Sequence, residues 1–98
     1  MSAIRFDWDP TKAAANLRKH GVSFDEARTV FEDDEALILP DPQHSVGEER
    51  FALLGLSSAL RVLIVVHCEL DSGSVIRLIS ARKADRGERS DYVSRRPI

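Results

Sequence analysis

A single cysteine, Cys68, stands among 98 residues, so no internal disulfide can staple the chain, and a small secreted scaffold held by bridges is excluded. Long apolar runs are missing. The longest, Val62-Leu63-Ile64-Val65-Val66, is far short of the roughly 20 residues a membrane-spanning helix needs. The opening Met1-Ser2-Ala3-Ile4-Arg5-Phe6-Asp7 has no apolar stretch of the kind a secretion signal requires. Metal-ligand spacings are also lacking: His20, His44 and His67 are scattered, and neither Cys-x-x-Cys nor His-x-x-x-His occurs. Gly21, Gly47, Gly55, Gly73 and Gly87 stand apart from one another, which excludes a phosphate-cradling glycine loop. These absences leave a single soluble domain spanning 1–98, expected in the cytoplasm, with no metal and no cofactor.

The chain is 43% hydrophobic and 31% charged, enough apolar content for a core and a well-solvated surface around it. The net charge of −2 hides an asymmetry: residues 1–49 hold five basic and eleven acidic side chains, residues 50–98 nine basic and five acidic. A charge difference of this kind between halves points to a charged partner surface, unless folding intermixes the two signs.

Local signals give the elements. Ile4–Phe6 reads as a short strand. Asp9 reads as an N-cap followed by Pro10, whose missing N–H costs nothing at the first helical position. That helix runs to His20 and ends at Gly21. Ser23 with Glu26 has the spacing of a capping box for a second helix, with Phe24, Ala27 and Phe31 on one face. Ala36–Leu39, closed by Pro40-Asp41-Pro42, reads as an edge strand. Arg50–Leu56, Arg61–Leu70 and Val75–Ala81 follow as strands, the last two joined by an Asp71-Ser72-Gly73 hairpin loop. Loops this short require antiparallel pairing. Asp85 with Glu88 forms a further capping box, opening a helix that Pro97 ends. The expected fold is α+β: a short N-terminal strand, two helices, an antiparallel sheet of about three to four strands, and a C-terminal helix.

Alternation along Arg61–Leu70 assigns Val62, Ile64, Val66, Cys68 and Leu70 to an apolar core face, with Arg61, Leu63, Val65, His67 and Glu69 on the other. Cys68 then reads as an inert buried thiol. Arg77 interrupts an apolar strand, so its guanidinium must find either an internal acid, such as Glu49 or Glu69, or an anion site shared with other arginines. Strict alternation sets Arg77 and Arg82 on opposite faces. They converge only if the strand twists, bulges or ends near Ala81, and an end there is expected. Cleavage of RNA by its own 2′-hydroxyl needs a base, cations for the charged phosphorane and an acid for the leaving oxygen. Arginines suit the second role, while His20, His67, Glu49 and Tyr92 are the available proton carriers.

A chain-wide pattern narrows these options. Phe6-Asp7-Trp8-Asp9-Pro10, then Lys12, Ala13, Asn16 and Lys19-His20-Gly21-Val22-Ser23-Phe24, resembles the opening of the BrnT family of type II toxin–antitoxin toxins. The resemblance continues through Glu26-Ala27, Val30-Phe31, Asp41, His44-Ser45, Gly47-Glu48, Arg50, Arg61 and His67. It closes on Ile76-Arg77, Ser80-Ala81-Arg82-Lys83-Ala84, Glu88-Arg89 and Tyr92. It implies a RelE-like fold and a metal-independent endoribonuclease that inhibits translation. It also implies neutralisation by a BrnA-type ribbon-helix-helix antitoxin, in a hetero-oligomer that represses its own synthesis. Carried over by residue, it makes Arg61, Arg77, Arg82, Lys19 and His20 the candidate catalytic groups and Lys83, Arg86 and Arg89 the candidate RNA-binding ones. Glu49, His67 and Tyr92 are weaker catalytic candidates. Asp85 departs from the pattern, placing an acid near Arg82.

A second reading belongs to another class: a catalytically inactive module that only binds the antitoxin, its acidic N-terminal half docking a basic segment. Direct DNA binding by this chain is not supported, because no helix carries a basic recognition face.

Overall fold

The computed structural model describes residues 4–40 and 50–94; His44, Ser45, Glu49 and Pro97 lie outside them. A short strand β1 (Arg5–Asp7) leads into helix α1 (Pro10–His20) and helix α2 (Phe24–Arg28), which runs on as a 3-10 turn over Thr29–Glu32. Strands β2 (Leu37–Pro40), β3 (Arg50–Leu56), β4 (Val62–Leu70) and β5 (Val75–Lys83) follow, and helix α3 (Arg86–Ser94) closes the fold. The sheet order is β1-β5-β4-β3-β2. β2 to β5 pair antiparallel, as their short loops demand, while β1 adds to β5 as a parallel edge.

The caps follow the sequence closely. Asp9 accepts the Thr11 N–H at 2.9 Å, Pro10 opens α1, and Gly21 ends it at φ 69°, donating its N–H to Leu17 O. Ser23 accepts the Glu26 N–H at 3.0 Å, yet the expected reciprocal bond is replaced: the Glu26 carboxylate turns away to Ser57 and Arg61. The Asp85–Glu88 box forms in both directions, each bond 2.8 Å.

Both sheet faces are covered. Leu53, Leu63, Val65, Ile76, Leu78 and Ala81 pack under α1, α2 and the turn after it, against Val22, Phe24, Ala27 and Val30. Leu54 and Ile64 pack on the opposite face against Ala84 and Tyr92 of the α3 region. The expected assignment of β4 is therefore corrected: the face carrying Leu63, Val65 and His67 is the main core, because two helices cover it. Gly55 lies where the chain after α2 crosses β3, and a Cβ there would meet Val30 Cγ1 and Ala36 Cβ at 2.8 Å.

β5 holds the feature that shapes one edge of the molecule. Its partners on β4 run Lys83–Leu63, Arg82–Ile64, Ala81–Val65 and Ser80–Val66, then skip to Leu78–His67 and Arg77–Cys68. Ile79 is the extra residue of a β-bulge, and it reverses the alternation. Cross-strand partners share a face, so Arg77, Ser80 and Arg82 all project from the side of Val66 and Cys68. The expected strand end near Ala81 does not occur; β5 continues to Lys83, and the bulge brings the arginines to one face.

Candidate functional site

β1 accompanies β5 only as far as Asp7 opposite Arg77. Four residues further on, buried Asn16 of α1 takes the place of a strand: its Nδ2 donates to Ala81 O at 2.8 Å, and its Oδ1 accepts the Ala81 N–H at 3.1 Å. Nδ2 also donates to Val22 O at 3.0 Å, tying the end of α1 to the same point. Between Arg77 and Ala81 the β5 edge has no neighbouring strand among the described residues. A groove fills that gap.

At one end lies a cavity of about 340 Å³ lined by Asp7, Trp8, Asp9, Lys12, Arg77 and Ile79. Beside it a second hollow of about 230 Å³ is lined by Lys12, Lys19, His20, Ile79 and Ser80. Lys12 and Ile79 belong to both, so the two hollows adjoin along the β5 edge beside α1. Lys12, Asn16, Lys19 and His20 are spaced i, i+4, i+7 and i+8, which puts them on one side of the helix. Arg77 and Ser80 project from the sheet face away from α1, and they border these hollows at the open β5 edge, Arg77 beside Lys12 and Ser80 beside Lys19 and His20.

Arg77 is held by Asp7: its Nε and Nη2 donate to Asp7 Oδ2 at 3.2 and 3.0 Å, and both side chains remain about half exposed. Nη1 points to no partner among the described residues. This internal acid is not Glu69, because the parallel pairing of β1 brings Asp7 alongside; Glu49 lies outside the described residues. Arg82 makes a two-pronged bond to Glu88, at 2.8 and 2.9 Å. Its guanidinium keeps that carboxyl below the usual carboxylate range and is itself raised. Asp85 adds to the raising of Arg82 and accepts the Glu88 N–H.

Arg61 lies elsewhere. It sits on the α2 side of the sheet, clamped to both oxygens of Glu26 and donating to Gly21 O at 3.1 Å. The Arg61 guanidinium, more than the Ser57 hydroxyl at 2.6 Å, holds Glu26 below its ordinary pKa against the opposing effect of burial. The structure thus sets Lys12 beside Arg77 in one hollow and beside Lys19 and His20 in the next, places Arg82 on the sheet face of Arg77, and separates Arg61.

The remaining candidates are equally definite in place. His67 is 1% exposed, edge-on to Phe31 at 4.8 Å, with Nδ1 3.3 Å from the Val65 carbonyl. Burial pushes its pKa down, so it is a neutral core imidazole. Tyr92 is buried beneath α3 and donates its hydroxyl to Asp33 Oδ2 at 2.6 Å. That oxygen also accepts the Leu56 N–H at 2.8 Å. Lys83 is exposed at the end of β5, Arg86 opens α3, and Arg89 donates to Ala84 O at 3.2 Å. Lys12 and Asp7 were not among the candidates. Lys12 was readable from its seven-residue spacing to Lys19, whereas nothing local signals the Asp7–Arg77 contact across 70 positions.

The model of the family described as "Ribonuclease toxin, BrnT, of type II toxin-antitoxin system" matches residues 8–88. The chain belongs to the BrnT family. No curated protein matches it at a significant level. Its fold is similar to the crystal structure of the Brucella abortus ribonuclease toxin BrnT, with a TM-score of 0.63 and 23% identity, covering 88% of this chain and 100% of that one. The BrnT match contains the whole α1–β5 groove apart from Asp7, and it stops at Glu88, within the first turn of α3. Membership in BrnT makes this a ribonuclease toxin with a cognate antitoxin. No helix among the described residues is long and apolar enough to cross a membrane.

Proposed function

We propose that the α1–β5 groove is the RNA-cleaving site of this toxin, and that it works without a metal ion. The observation that carries this reading is the pair of hollows along the open β5 edge, which set Lys12 beside Arg77 in one and beside Lys19, His20 and Ser80 in the next. Four groups of positive or protonatable character then line two adjoining hollows in a chain whose net charge is −2.

The chemistry follows from their types. His20, acting as general base, takes the proton of the RNA 2′-hydroxyl. The freed oxygen attacks the adjacent phosphorus, and the bond to the 5′-oxygen breaks, leaving a 2′,3′-cyclic phosphate. That 5′-oxygen takes up a proton from water. Arg77 and Lys12 stabilise the charge that accumulates on the phosphorane, the planar Arg77 fork through its open Nη1. Lys19 binds the flanking backbone, with Lys83, Arg86 and Arg89 as outlying phosphate contacts. Arg82 reaches the same face, and RNA must compete with Glu88 for it. Arg61, His67 and Tyr92 serve the frame of the protein.

Cleavage of cellular RNA by this site inhibits translation. The partner is a BrnA-type antitoxin whose ribbon-helix-helix region supplies the DNA contacts of a hetero-oligomeric, self-repressing complex. Expression of the chain without its antitoxin should arrest growth and fragment RNA, and Arg77→Ala with Lys12→Ala should relieve both at equal protein level. A second reading, an antitoxin-binding module without catalysis, draws on the carboxylate partners of Arg61, Arg77 and Arg82. It requires that the antitoxin be bound while RNA stays intact.

A further inference from the structure

The cavity at the end of β1 carries more than cations. Trp8 forms part of its wall and meets Phe24 edge-to-face, centroids 5.9 Å apart and planes at 82°. That contact covers at most one face of the indole, and Trp8 is only partly buried. Two carboxylates flank it. Asp7 uses Oδ2 for Arg77, and Asp9 uses Oδ1 for the Thr11 N–H. Asp7 Oδ1 and Asp9 Oδ2 have no partner among the described residues. The volume of about 340 Å³ falls within the range of pockets that hold small organic ligands, about 300–1,000 Å³.

An aromatic face, open carboxylate oxygens and adjacent cations have complementary uses in holding one nucleotide. The indole offers a stacking platform. The carboxylates accept hydrogen bonds from a base edge, and Lys12 with Arg77 Nη1 takes the phosphate. Carboxylates select among bases, because guanine presents two adjacent donors, N1–H and the exocyclic amine, where adenine, cytosine and uracil each present one donor group on that edge. A donor-poor edge would leave the carboxylates facing ring nitrogens or carbonyl oxygens, which repel them.

We propose that the cavity formed by Trp8, Asp7, Asp9, Lys12 and Arg77 is a guanine subsite beside the scissile phosphate. The proposal rests on the ribonuclease reading of the groove and adds to it a base preference and a place for the base. Asp7 acts in two ways there, orienting Arg77 with one oxygen and facing the base with the other.

Trp8 is the chain's one tryptophan, so its fluorescence reports directly on stacking. The test titrates the full, antitoxin-free chain with GMP, AMP, CMP and UMP in EDTA. GMP should quench Trp8 with an affinity about tenfold or more above that of the others. Asp9→Asn keeps a good helix N-cap while replacing a carboxylate by an amide, and it should erase the difference among bases without unfolding the chain. Equal quenching by all four nucleotides, or by none, overturns the proposal. Cleavage-site mapping on RNA separates it from the reading beneath: cuts without guanine beside them sink the subsite alone. GMP selectivity without any cleavage upholds a guanine site and removes the ribonuclease assignment of the groove.

Discussion

Arg77 and Arg82 stand five positions apart on one strand and still project from the same face. Odd spacing along a regular strand puts side chains on opposite faces. Ile79 removes one step from the alternation, since the partner of Val66 is Ser80 and that of His67 is Leu78. The two arginines nevertheless differ in company. Arg77 pairs with an acid that is half exposed, and Arg82 with one belonging to the α3 capping box. In the proposed site, a substrate phosphate meets Arg77 first, and reaches Arg82 by competing with a helix cap.

Arg77→Ala should lower RNA cleavage by about a hundredfold or more, the cost of losing one preorganised cation at a developing oxyanion. Its stability should change by only about 0–1 kcal/mol, because the Asp7 pair is exposed. Cleavage rates beside urea unfolding curves give both values. A variant that cleaves normally removes Arg77 from the site.

Arg61→Ala should show the reverse pattern. Its removal strands Glu26, whose side chain is 14% exposed, and should cost about 1–3 kcal/mol of stability. The cleavage rate per folded molecule should fall far less than for Arg77→Ala. A double-mutant cycle with Glu26→Gln measures the coupling of the pair.

Asn16→Ala should destabilise the fold by about 2–4 kcal/mol, since it leaves the buried Ala81 N–H and C=O and the Val22 carbonyl without their partner. Hydrogen exchange at Ala81 should speed up in the variant. An unchanged urea midpoint would show that α1 needs no such clip.

Stability should fall with acid in two stages. His67 has a folded pKa below the ordinary value of 6.5 because it is buried. The unfolded chain therefore takes up its proton first, and the contribution of the neutral ring is lost as pH drops below about 6.5 toward the folded value. Glu26 and Glu88, held down by Arg61 and Arg82, keep their contribution until pH falls below about 4.5 and through their lower folded values. Urea midpoints from pH 8 to 3 follow both stages, and His67→Gln should flatten the first. A midpoint that rises between pH 7 and 5 contradicts the neutral buried imidazole.

Short-range signals carried most of the fold. Asp9, Pro10, Gly21, Ser23 and the Asp85–Glu88 box act within four residues of themselves, so their geometry is written where it operates. What stayed hidden depends on distant segments. The parallel docking of β1 joins Asp7 to Arg77, and the covering of both sheet faces inverted the expected role of the Leu63–Val65–His67 side. Alternation cannot name the core face of a strand that is apolar on both sides. The Arg77–Arg82 problem was visible in the spacing, but the bulge that solves it depends on the pairing with β4, which passes over Ile79. Lys19, His20 and Arg77 were legible as chemistry-bearing types, and their convergence on Lys12 follows only from the seating of α1 on the β5 edge.

The most direct measurement is a time course of total RNA with the purified, antitoxin-free chain in EDTA, run beside Arg77→Ala and Arg61→Ala at matched folded concentration. The groove assignment predicts cleavage by the wild type and by Arg61→Ala, ends bearing 2′,3′-cyclic phosphate, and intact RNA with Arg77→Ala. Equal cleavage by wild type and Arg77→Ala, or cleavage that appears only when a divalent metal is restored, would contradict it.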